Sequence, residues 1–225
     1  MTDTPKTSPE LGILGTGRMG ARLAAMFARA GRSVLLGSRE PDRAAAVVAG
    51  LGSPALRSGT YADALSAPAV LPAVFIRDGL IDLLCRHSRK LSGKLLIDIS
   101  NPFNKDYSDF VTPWDTSGAE ELQRGFPQAR VVGAFKNVFW EVFDQPRFGD
   151  SLSDVLVTGD DEQAKAEFLE LAEGTPFRYL DAGALVNSRT VERLTFITSS
   201  LGQQLGSYPR MNWRLLTQPA QAQAA

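Results

Sequence analysis

The sequence predicts an α/β protein in which a doubly wound, mainly parallel sheet is followed by a small C-terminal α/β cap. Short apolar runs alternate with segments of helical periodicity along most of the chain, which is typical of repeated β-α-β units. A glycine-rich turn joins the first apolar run to the first helical segment. The 225 residues, 44% of them hydrophobic, suffice for one folded unit with an appendage.

Each element follows from a local pattern. Strands are predicted at apolar runs bounded by turn residues, in chain order 11–14, 33–36, 55–56, 69–74, 94–100, 129–135, 154–158 and 177–180. Helices are predicted where apolar residues recur at helical spacing, at 19–31, 41–52, 78–90, 117–126, 162–173 and 186–205. Gly31 suits a C-cap, Pro41 suits the first helical position, and Ser117 with Glu120 forms a capping box, whereas Pro72 is irregular for a central strand.

Charge and composition narrow the classes of partner. The chain has 24 basic and 25 acidic residues and no long basic run, so a small molecule is a more reasonable partner than nucleic acid or an anionic membrane. No apolar stretch approaches the ~20 residues that span a bilayer, and "MTDTPKTSPE" lacks the apolar centre of a signal peptide. A single cysteine, Cys85, and a single histidine, His87, argue against a disulfide framework and against a metal site, and favour a cytoplasmic location.

The turn after the first strand reads Gly15-x-Gly17-x-x-Gly20. In such a turn the first glycine permits the tight bend, the second lets the backbone approach a pyrophosphate, and the third lets helix and strand pack closely. The helix N-terminus then offers free N–H groups to phosphates. With a strand before it, a helix after it and a second strand about twenty residues on, this turn predicts a dinucleotide site on a Rossmann-type sheet.

The end of the second strand indicates which dinucleotide is bound. Where an acidic residue would bind the ribose of NAD(H), the chain reads Gly37-Ser38-Arg39. A guanidinium at Arg39 can hold a 2′-phosphate, Ser38 can add a hydrogen bond, and Arg43 lies one helical turn further on. The pattern favours NADP(H), and the alternative is a solvated Arg39 with Glu40 in the acidic role.

Six segments carry a family resemblance: "GTGRMG", "LLGSREPDRA", "LIDISNP", "ARVVGAFKNV", "VLVTGDDEQAKAEFLEL" and "RYLDAGALVNSRTVERLTFI". In this order they resemble successive blocks of the NADPH:coenzyme F420 oxidoreductase family, whose fold is shared by the reductase domain of six-transmembrane metalloreductases. The resemblance implies a pyrophosphate site at Thr16, Gly17, Arg18 and Met19, a 2′-phosphate site at Ser38, Arg39 and Arg43, and a nicotinamide edge at Ala73, Val74, Phe75 and Ala134.

The implied activity is hydride transfer between NADP(H) and a planar acceptor, coenzyme F420 or a flavin. Two stretches depart from the family pattern: many members read something like "AVPW" where this chain has "AVFI" at 73–76, and commonly "AFNT" where it has "AFKN" at 134–137. We expect Asn101 to touch the ribose or amide of the cofactor. Phe103, Phe135 and Trp140 are expected to form an apolar slot for the acceptor ring, with Lys136, Arg147 or Arg210 supplying positive charge for an acidic tail.

Two other functions stay open. Hydride transfer to a stacked ring needs no acid–base group, whereas reduction of a C=N or C=C bond in a small metabolite needs a proton donor. Candidate donors are Lys136, Tyr107 and Asp115, and Lys136 is favoured because it follows the nicotinamide-edge strand. A non-catalytic NADP(H) sensor is the third possibility, although a sensor needs no acceptor slot.

The expected organisation is a Rossmann domain at 11–142 and a small cap at 143–217, with disordered ends at 1–10 and 218–225. The last predicted helix is rich in apolar residues, namely Val191, Leu194, Phe196, Ile197 and Leu201. A small sheet would not cover all of them, so a homodimer that forms through the cap is expected.

Overall fold

Strands and helices alternate along the chain in the computed structural model, which describes residues 8–217. The first half contains β1 (Leu11–Leu14), α1 (Arg18–Arg29), β2 (Val34–Ser38), α2 (Pro41–Leu51), β3 (Leu56–Thr60), α3 (Tyr61–Ala64), β4 (Ala69–Pro72), α4 (Leu80–Cys85) and β5 (Leu95–Asp98). The second half contains α5 (Gly118–Gly125), β6 (Arg130–Gly133), β7 (Arg147–Phe148), β8 (Ser151–Leu152), β9 (Asp154–Val157), α6 (Glu162–Leu171), β10 (Arg178–Asp181) and α7 (Ser188–Gln204). Among residues 8–217, no helix has the length and apolar character needed to cross a membrane.

The main sheet has six parallel strands in the order β3-β2-β1-β4-β5-β6. The strand order reverses between β1 and β4, and ligands of doubly wound sheets bind in the crevice at such a switch point, beyond the carboxyl ends of the strands. The predicted α/β class with a Rossmann-type, doubly wound sheet is confirmed.

Apolar side chains cover both faces of this sheet. Leu23 and Phe27 of α1 belong to the buried cluster on one face, and Leu84 and Leu122 belong to the cluster on the other. Strands covered on both sides read as continuous apolar runs rather than alternating ones, as the fully buried β1 does.

The C-terminal segment shares the core of the main sheet. Gly133, at the end of β6, and Thr158, just after β9, exchange two backbone hydrogen bonds of 2.9 Å. The ring of Phe135 packs against the rings of Phe168 and Phe177, so β9, β10 and α6 extend the same apolar cluster. The boundary between a Rossmann domain at 11–142 and a cap at 143–217 stays a prediction.

Several element boundaries differ from those predicted. The helix predicted over 78–90 is interrupted by Gly79, whose φ of 90° is left-handed, and only Leu80–Cys85 are α-helical. Strand β4 ends at Pro72, which has no N–H group to continue a ladder. Strand β3 continues to Thr60, well beyond the predicted 55–56. Helix α3 and the β7–β8 hairpin were not predicted at all; both are too short to give a periodic signal.

Residues 9 and 10, just before β1, are held against the rest of the protein. Pro9 is buried, and the Glu10 carboxylate accepts hydrogen bonds from the backbone N–H and the hydroxyl of Ser33, at 2.8 and 3.1 Å. The prediction of disorder through residue 10 is therefore wrong for these two positions. The rest of that prediction, at 1–7 and 218–225, lies outside the described residues.

Candidate functional site

A cleft of about 1020 Å³ opens at the carboxyl ends of β1, β2 and β4, which is the switch point of the sheet. Its walls come from segments that lie far apart in the chain: 15–19, 38–43, 73–87, 99–107, 135–140 and 195–199, with Tyr61 and Tyr208. The size suits a dinucleotide together with part of a second molecule, since drug-sized ligand pockets span about 300–1000 Å³.

The glycine turn leaves an open cradle at the start of α1. Gly15 has a φ of 117° and donates its N–H to the carbonyl oxygen of Gly37 at 2.9 Å, which holds the turn against β2. A Cβ atom on Gly17 would meet no heavy atom within 4 Å, so this backbone is free to approach a ligand. The first turn of α1 contains no acidic residue, and its N–H groups lack helical partners. The cradle therefore fits a pyrophosphate.

Three predicted 2′-phosphate ligands meet at the end of β2. The Ser38 side chain is buried and its Oγ accepts the N–H of Glu40 at 3.1 Å, so the hydroxyl hydrogen remains available to donate. Arg39 and Arg43 are exposed and line the cleft, and their guanidinium groups form no hydrogen bond or ion pair with another residue of the described chain. Glu40 also lines the cleft, at the N-cap of α2. Two unpaired guanidinium groups beside one carboxylate suit a phosphate better than a bare ribose.

The nicotinamide edge is formed by the segment after β4. Ala73, Val74 and Phe75 all line the cleft, and the N–H of Ala73 is bonded to the carbonyl oxygen of Leu14 at 2.7 Å. Ala134, predicted to border the same edge, does not line it. It is fully buried, because β6 continues into the core there and its N–H is bonded to the carbonyl oxygen of Asp98.

Asn101, which is expected to touch the ribose or amide of the cofactor, lies in the wall of the cleft. Its Nδ2 donates to the carbonyl oxygen of Lys136 at 2.8 Å, while its Oδ1 is buried and has no hydrogen-bond partner. An unpaired buried oxygen in a cleft wall is unfavourable unless a ligand satisfies it. Asn101 is therefore suited to accept a hydrogen bond from the ribose or carboxamide of a nucleotide.

Two groups of aromatic rings form walls of the cleft. In the first, Phe103 lies within 5.1–5.5 Å, between ring centroids, of three neighbours: Tyr107, Phe110 and Phe196. The second consists of Phe139, Trp140 and Tyr208, with centroids 5.7–6.2 Å apart. Phe103 and Trp140 were predicted, whereas Phe196 and Tyr208 were not assigned to the cleft. The guanidinium of Arg18 lies 4.4 Å from the centroid of the Trp140 ring and so joins the glycine turn to the second wall.

Phe135 does not form part of an acceptor slot. Its side chain is 1% exposed, and its ring packs against the rings of Phe27, Phe143, Phe168, Phe177 and Tyr179 in the core. Although Phe135 borders the cleft, its ring is occupied by these neighbours and cannot stack on a ligand.

Lys136 is also buried, at 1% exposure, and does not line the cleft. Its Nζ donates to Asp98 Oδ2 at 2.5 Å, to the Ser100 carbonyl oxygen at 2.6 Å and to Glu192 Oε1 at 2.8 Å. Burial lowers the pKa of Lys136, but the charges of Asp98 and Glu192 outweigh it and raise that pKa above the ordinary value. The predicted role as a proton donor to substrate does not fit a lysine that is buried and held in its charged form.

Other charged candidates also lie elsewhere. Arg147 and Arg210 do not line the cleft; Arg147 is bonded to the Asp150 carbonyl oxygen, and Arg210 to the Arg147 carbonyl oxygen. Asp115 is exposed outside the cleft. Tyr107 does line it, and its hydroxyl accepts a hydrogen bond from Arg77 at 2.7 Å.

A Rossmann-type sheet with an open glycine cradle and a ring-lined cleft at its switch point is the architecture of dinucleotide-binding proteins. Residues 10–102 match the family model described as NADP oxidoreductase, coenzyme F420-dependent. The predicted resemblance to this family is confirmed. The prediction of an NADP-dependent oxidoreductase is confirmed at the level of the family.

Several individual proteins are similar along most of the chain. The metalloreductase STEAP3 of Rattus norvegicus is 35% identical over 196 residues, covering 86% of this chain and 38% of its own length. The F420-dependent NADP reductase of Methanothermobacter thermautotrophicus is 29% identical over 201 residues, covering 81% of this chain and 84% of its own. The chain thus spans little more than a third of the length of the metalloreductases that it matches.

Solved structures agree with this fold. A putative F420-dependent NADP reductase from Arthrobacter sp. FB24 superposes with a TM-score of 0.82 and 26% identity, covering 93% of this chain and 100% of the other. An imine reductase from Pseudomonas sp. shares the fold, with a TM-score of 0.64 and 20% identity over 89% of this chain and 64% of the other.

Proposed function

We propose that the protein transfers hydride between NADP(H) and a planar ring acceptor, a deazaflavin or a flavin. The observation that carries this proposal is the pair of aromatic walls beside the nicotinamide edge, one containing Phe103 and Phe196 and the other Trp140 and Tyr208. Flat conjugated rings gain most from such walls, because stacking adds to the burial of apolar area.

The residues of the nucleotide half would bind and orient NADP(H). The cradle at Gly15–Gly20 suits the pyrophosphate, while Ser38, Arg39 and Arg43 suit the 2′-phosphate. The Oδ1 of Asn101 would accept a hydrogen bond near the nicotinamide end. NADP(H) supplies or takes the hydride, so the protein contributes position, orientation and exclusion of water.

The acceptor half of the cleft suits a conjugated ring better than a C=N or C=C bond, whose reduction requires a proton donor. Lining residues from 99–107, 135–140, 195–199 and 208 include no carboxylate, lysine, arginine or histidine. Its amide and aliphatic hydroxyl groups come from Ser100, Asn101, Thr195 and Ser199, and its phenols from Tyr107 and Tyr208. Direct hydride transfer to a conjugated ring needs no residue to deliver a proton at the reduced atom.

A second candidate function is NADPH-dependent reduction of a C=N or C=C bond in a small metabolite. The hydrogen bond from Arg77 to the Tyr107 hydroxyl supports it, because the phenol oxygen accepts that bond and its hydrogen stays free to be donated into the cleft. In this alternative Tyr107 takes the donor role that the sequence suggested for Lys136.

The test is single-turnover oxidation of NADPH by the purified chain, with F420, FMN and a cyclic imine offered in parallel, for the wild type and Tyr107→Phe. We expect reduction of F420 or FMN at a rate that the substitution leaves unchanged. Turnover of the imine alone, lost in Tyr107→Phe while NADPH still binds, would establish the alternative. Binding of NADPH with no oxidation by any acceptor would indicate a sensor.

The expected partner is therefore a small molecule. The cytoplasmic location and the homodimer stay predictions.

A further inference from the structure

A buried cluster of charged groups lies beneath the cleft. Asp98, Lys136 and Glu192 are each no more than 1% exposed, and Lys136 Nζ contacts both carboxylates. The three hydrogen bonds of Nζ use all three ammonium protons. No member of the cluster lines the cleft, so hydride transfer itself has no direct use for it.

Lys136 holds the turn after β5 at two points. Its Nζ binds the carbonyl oxygen of Ser100, and its own carbonyl oxygen accepts the Nδ2 of Asn101. Asp98 closes the same turn, because its Oδ1 accepts both the N–H and the hydroxyl of Ser100, at 2.9 and 2.7 Å. With Nδ2 fixed in this way, Asn101 is left with its Oδ1 free of protein donors.

Glu192 connects the same lysine to α7, which lines another part of the cleft. It belongs to α7 and also accepts the backbone N–H groups of Gly118 and Ala119 at the start of α5, at 3.1 and 3.3 Å. One and two turns further along α7, three residues line the cleft: Thr195, Phe196 and Ser199. Lys136 therefore joins the turn that carries Asn101 to the helix that carries part of the acceptor wall.

Burying these charged groups is energetically costly, which indicates that the cluster does more than stabilise the fold. Replacing a buried ion cluster by well-packed apolar residues is often neutral or stabilising, because two or three charges must lose their hydration. Where buried ions are kept, fixing one unique geometry is an attested use.

We propose that Lys136 is a positioning residue that fixes Asn101 and α7 relative to each other, so that Asn101 Oδ1 accepts a hydrogen bond from the nicotinamide carboxamide or its ribose. Only the expected effect on the rate of hydride transfer rests on the proposed function. The expected effect on NADP(H) binding does not depend on any acceptor.

The test compares two ligands that share the adenosine end. NADP⁺ contains the nicotinamide riboside that Asn101 would bind, whereas adenosine 2′,5′-bisphosphate lacks it. In Lys136→Met we expect NADP⁺ affinity to fall by about tenfold, the size of one lost hydrogen bond at the upper end of the ordinary range, and affinity for the bisphosphate to change less than about twofold. The single-turnover rate with the best acceptor should fall as well.

Lys165→Met is the matched control. Lys165 is also buried, at 3% exposure, and pairs with Glu162 and Asp181, and none of the three lines the cleft. It should leave both affinities and the rate unchanged. Asn101→Ala removes the side chain that would contact the nucleotide and should lower NADP⁺ affinity by the same amount as Lys136→Met. In the double variant the two effects should not add.

Equal losses for both ligands in Lys136→Met, or losses matched by Lys165→Met, would overturn the proposal, because both outcomes mean a general structural effect. If Lys136→Met fails to fold, the same two affinities are measured for Glu192→Gln and Asn101→Ala instead. Normal NADP⁺ affinity in Asn101→Ala then contradicts the role of Oδ1. A wild type that binds NADP⁺ but reduces no acceptor refutes the proposed function and leaves the binding comparison valid.

Discussion

Gly20 lies so close to the backbone of Gly15 that a Cβ atom on Gly20 would overlap the Gly15 carbonyl oxygen. Gly17, two residues after Gly15, has open space where its Cβ would be. The two glycines therefore have different roles: Gly20 permits close packing of α1 against the turn, and Gly17 permits the approach of a nucleotide.

Alanine substitutions at the two glycines should therefore affect different properties, namely stability at Gly20 and NADPH binding at Gly17. Gly20→Ala should lower the free energy of unfolding by about 1–3 kcal/mol, the usual cost of overpacking, even in the absence of nucleotide. Gly17→Ala should cost less than about 1 kcal/mol, the effect of alanine at an N-cap, but should weaken NADPH binding strongly. Thermal unfolding and a fluorescence titration with NADPH measure the two effects. Wild-type NADPH affinity in Gly17→Ala would contradict the assignment of the cradle.

Cofactor preference provides the second prediction. Arg39→Ala should cost about 1.5–3 kcal/mol of NADPH affinity, or roughly ten- to 150-fold, and much less of NADH affinity, because only NADPH carries a 2′-phosphate. Arg39 is exposed, so the lower end of this range is expected at physiological salt. Arg29→Ala, at an exposed position near the end of α1, is the control. Equal losses for both cofactors would refute the assignment and favour Glu40 as the ribose ligand.

The nucleotide half of the cleft was predictable because its signals are local. The turn from Gly15 to Gly20 and the pair Ser38-Arg39 lie at the ends of adjacent strands, and strand order brings such ends together in every doubly wound sheet. Residue type and spacing within about 25 positions were enough.

The acceptor half depends on contacts between distant parts of the chain. Phe196 and Tyr208 reach the cleft only because α7 and the segment after it pack beside the sheet, which no local pattern indicates. Lys136 appears in sequence as a charged residue after an apolar strand and so suggests a surface group. Its burial depends on Glu192, 56 residues further on, which compensates the charge.

Acid stability provides the third prediction. Burial raises the pKa of Asp154, but hydrogen bonds from Arg178 at 2.6 Å and from the N–H of Leu215 at 2.7 Å outweigh it and hold that pKa below its ordinary value. A carboxyl with a depressed pKa in the folded state stabilises fully above the unfolded value of about 4, and this stabilisation is lost as the pH falls through the folded value.

We therefore expect the melting temperature to fall between about pH 5 and pH 2, with part of the fall due to Asp154. Asp154→Asn should be less stable than the wild type at pH 7, and the difference should shrink as the pH is lowered. Asp150→Asn, at an exposed position, is the control and should leave the pH profile unchanged. A difference between Asp154→Asn and wild type that is constant with pH would contradict the role of this carboxyl.

The last prediction concerns association between copies of the chain. Ile197, Leu201 and Leu205 of α7 and its C-cap are spaced by four residues and are 52%, 40% and 76% exposed, so they form one apolar stripe on the surface. Burying such a stripe against a second copy would remove it from water, at about 25 cal/mol per Å² of apolar area. We expect a homodimer at micromolar concentration, measured by light scattering, and a monomer for Leu201→Glu. Leu169→Glu, a comparable exposed leucine on α6, should leave the dimer intact. A wild-type monomer, or a dimer in Leu201→Glu, would mean that this stripe is not the interface.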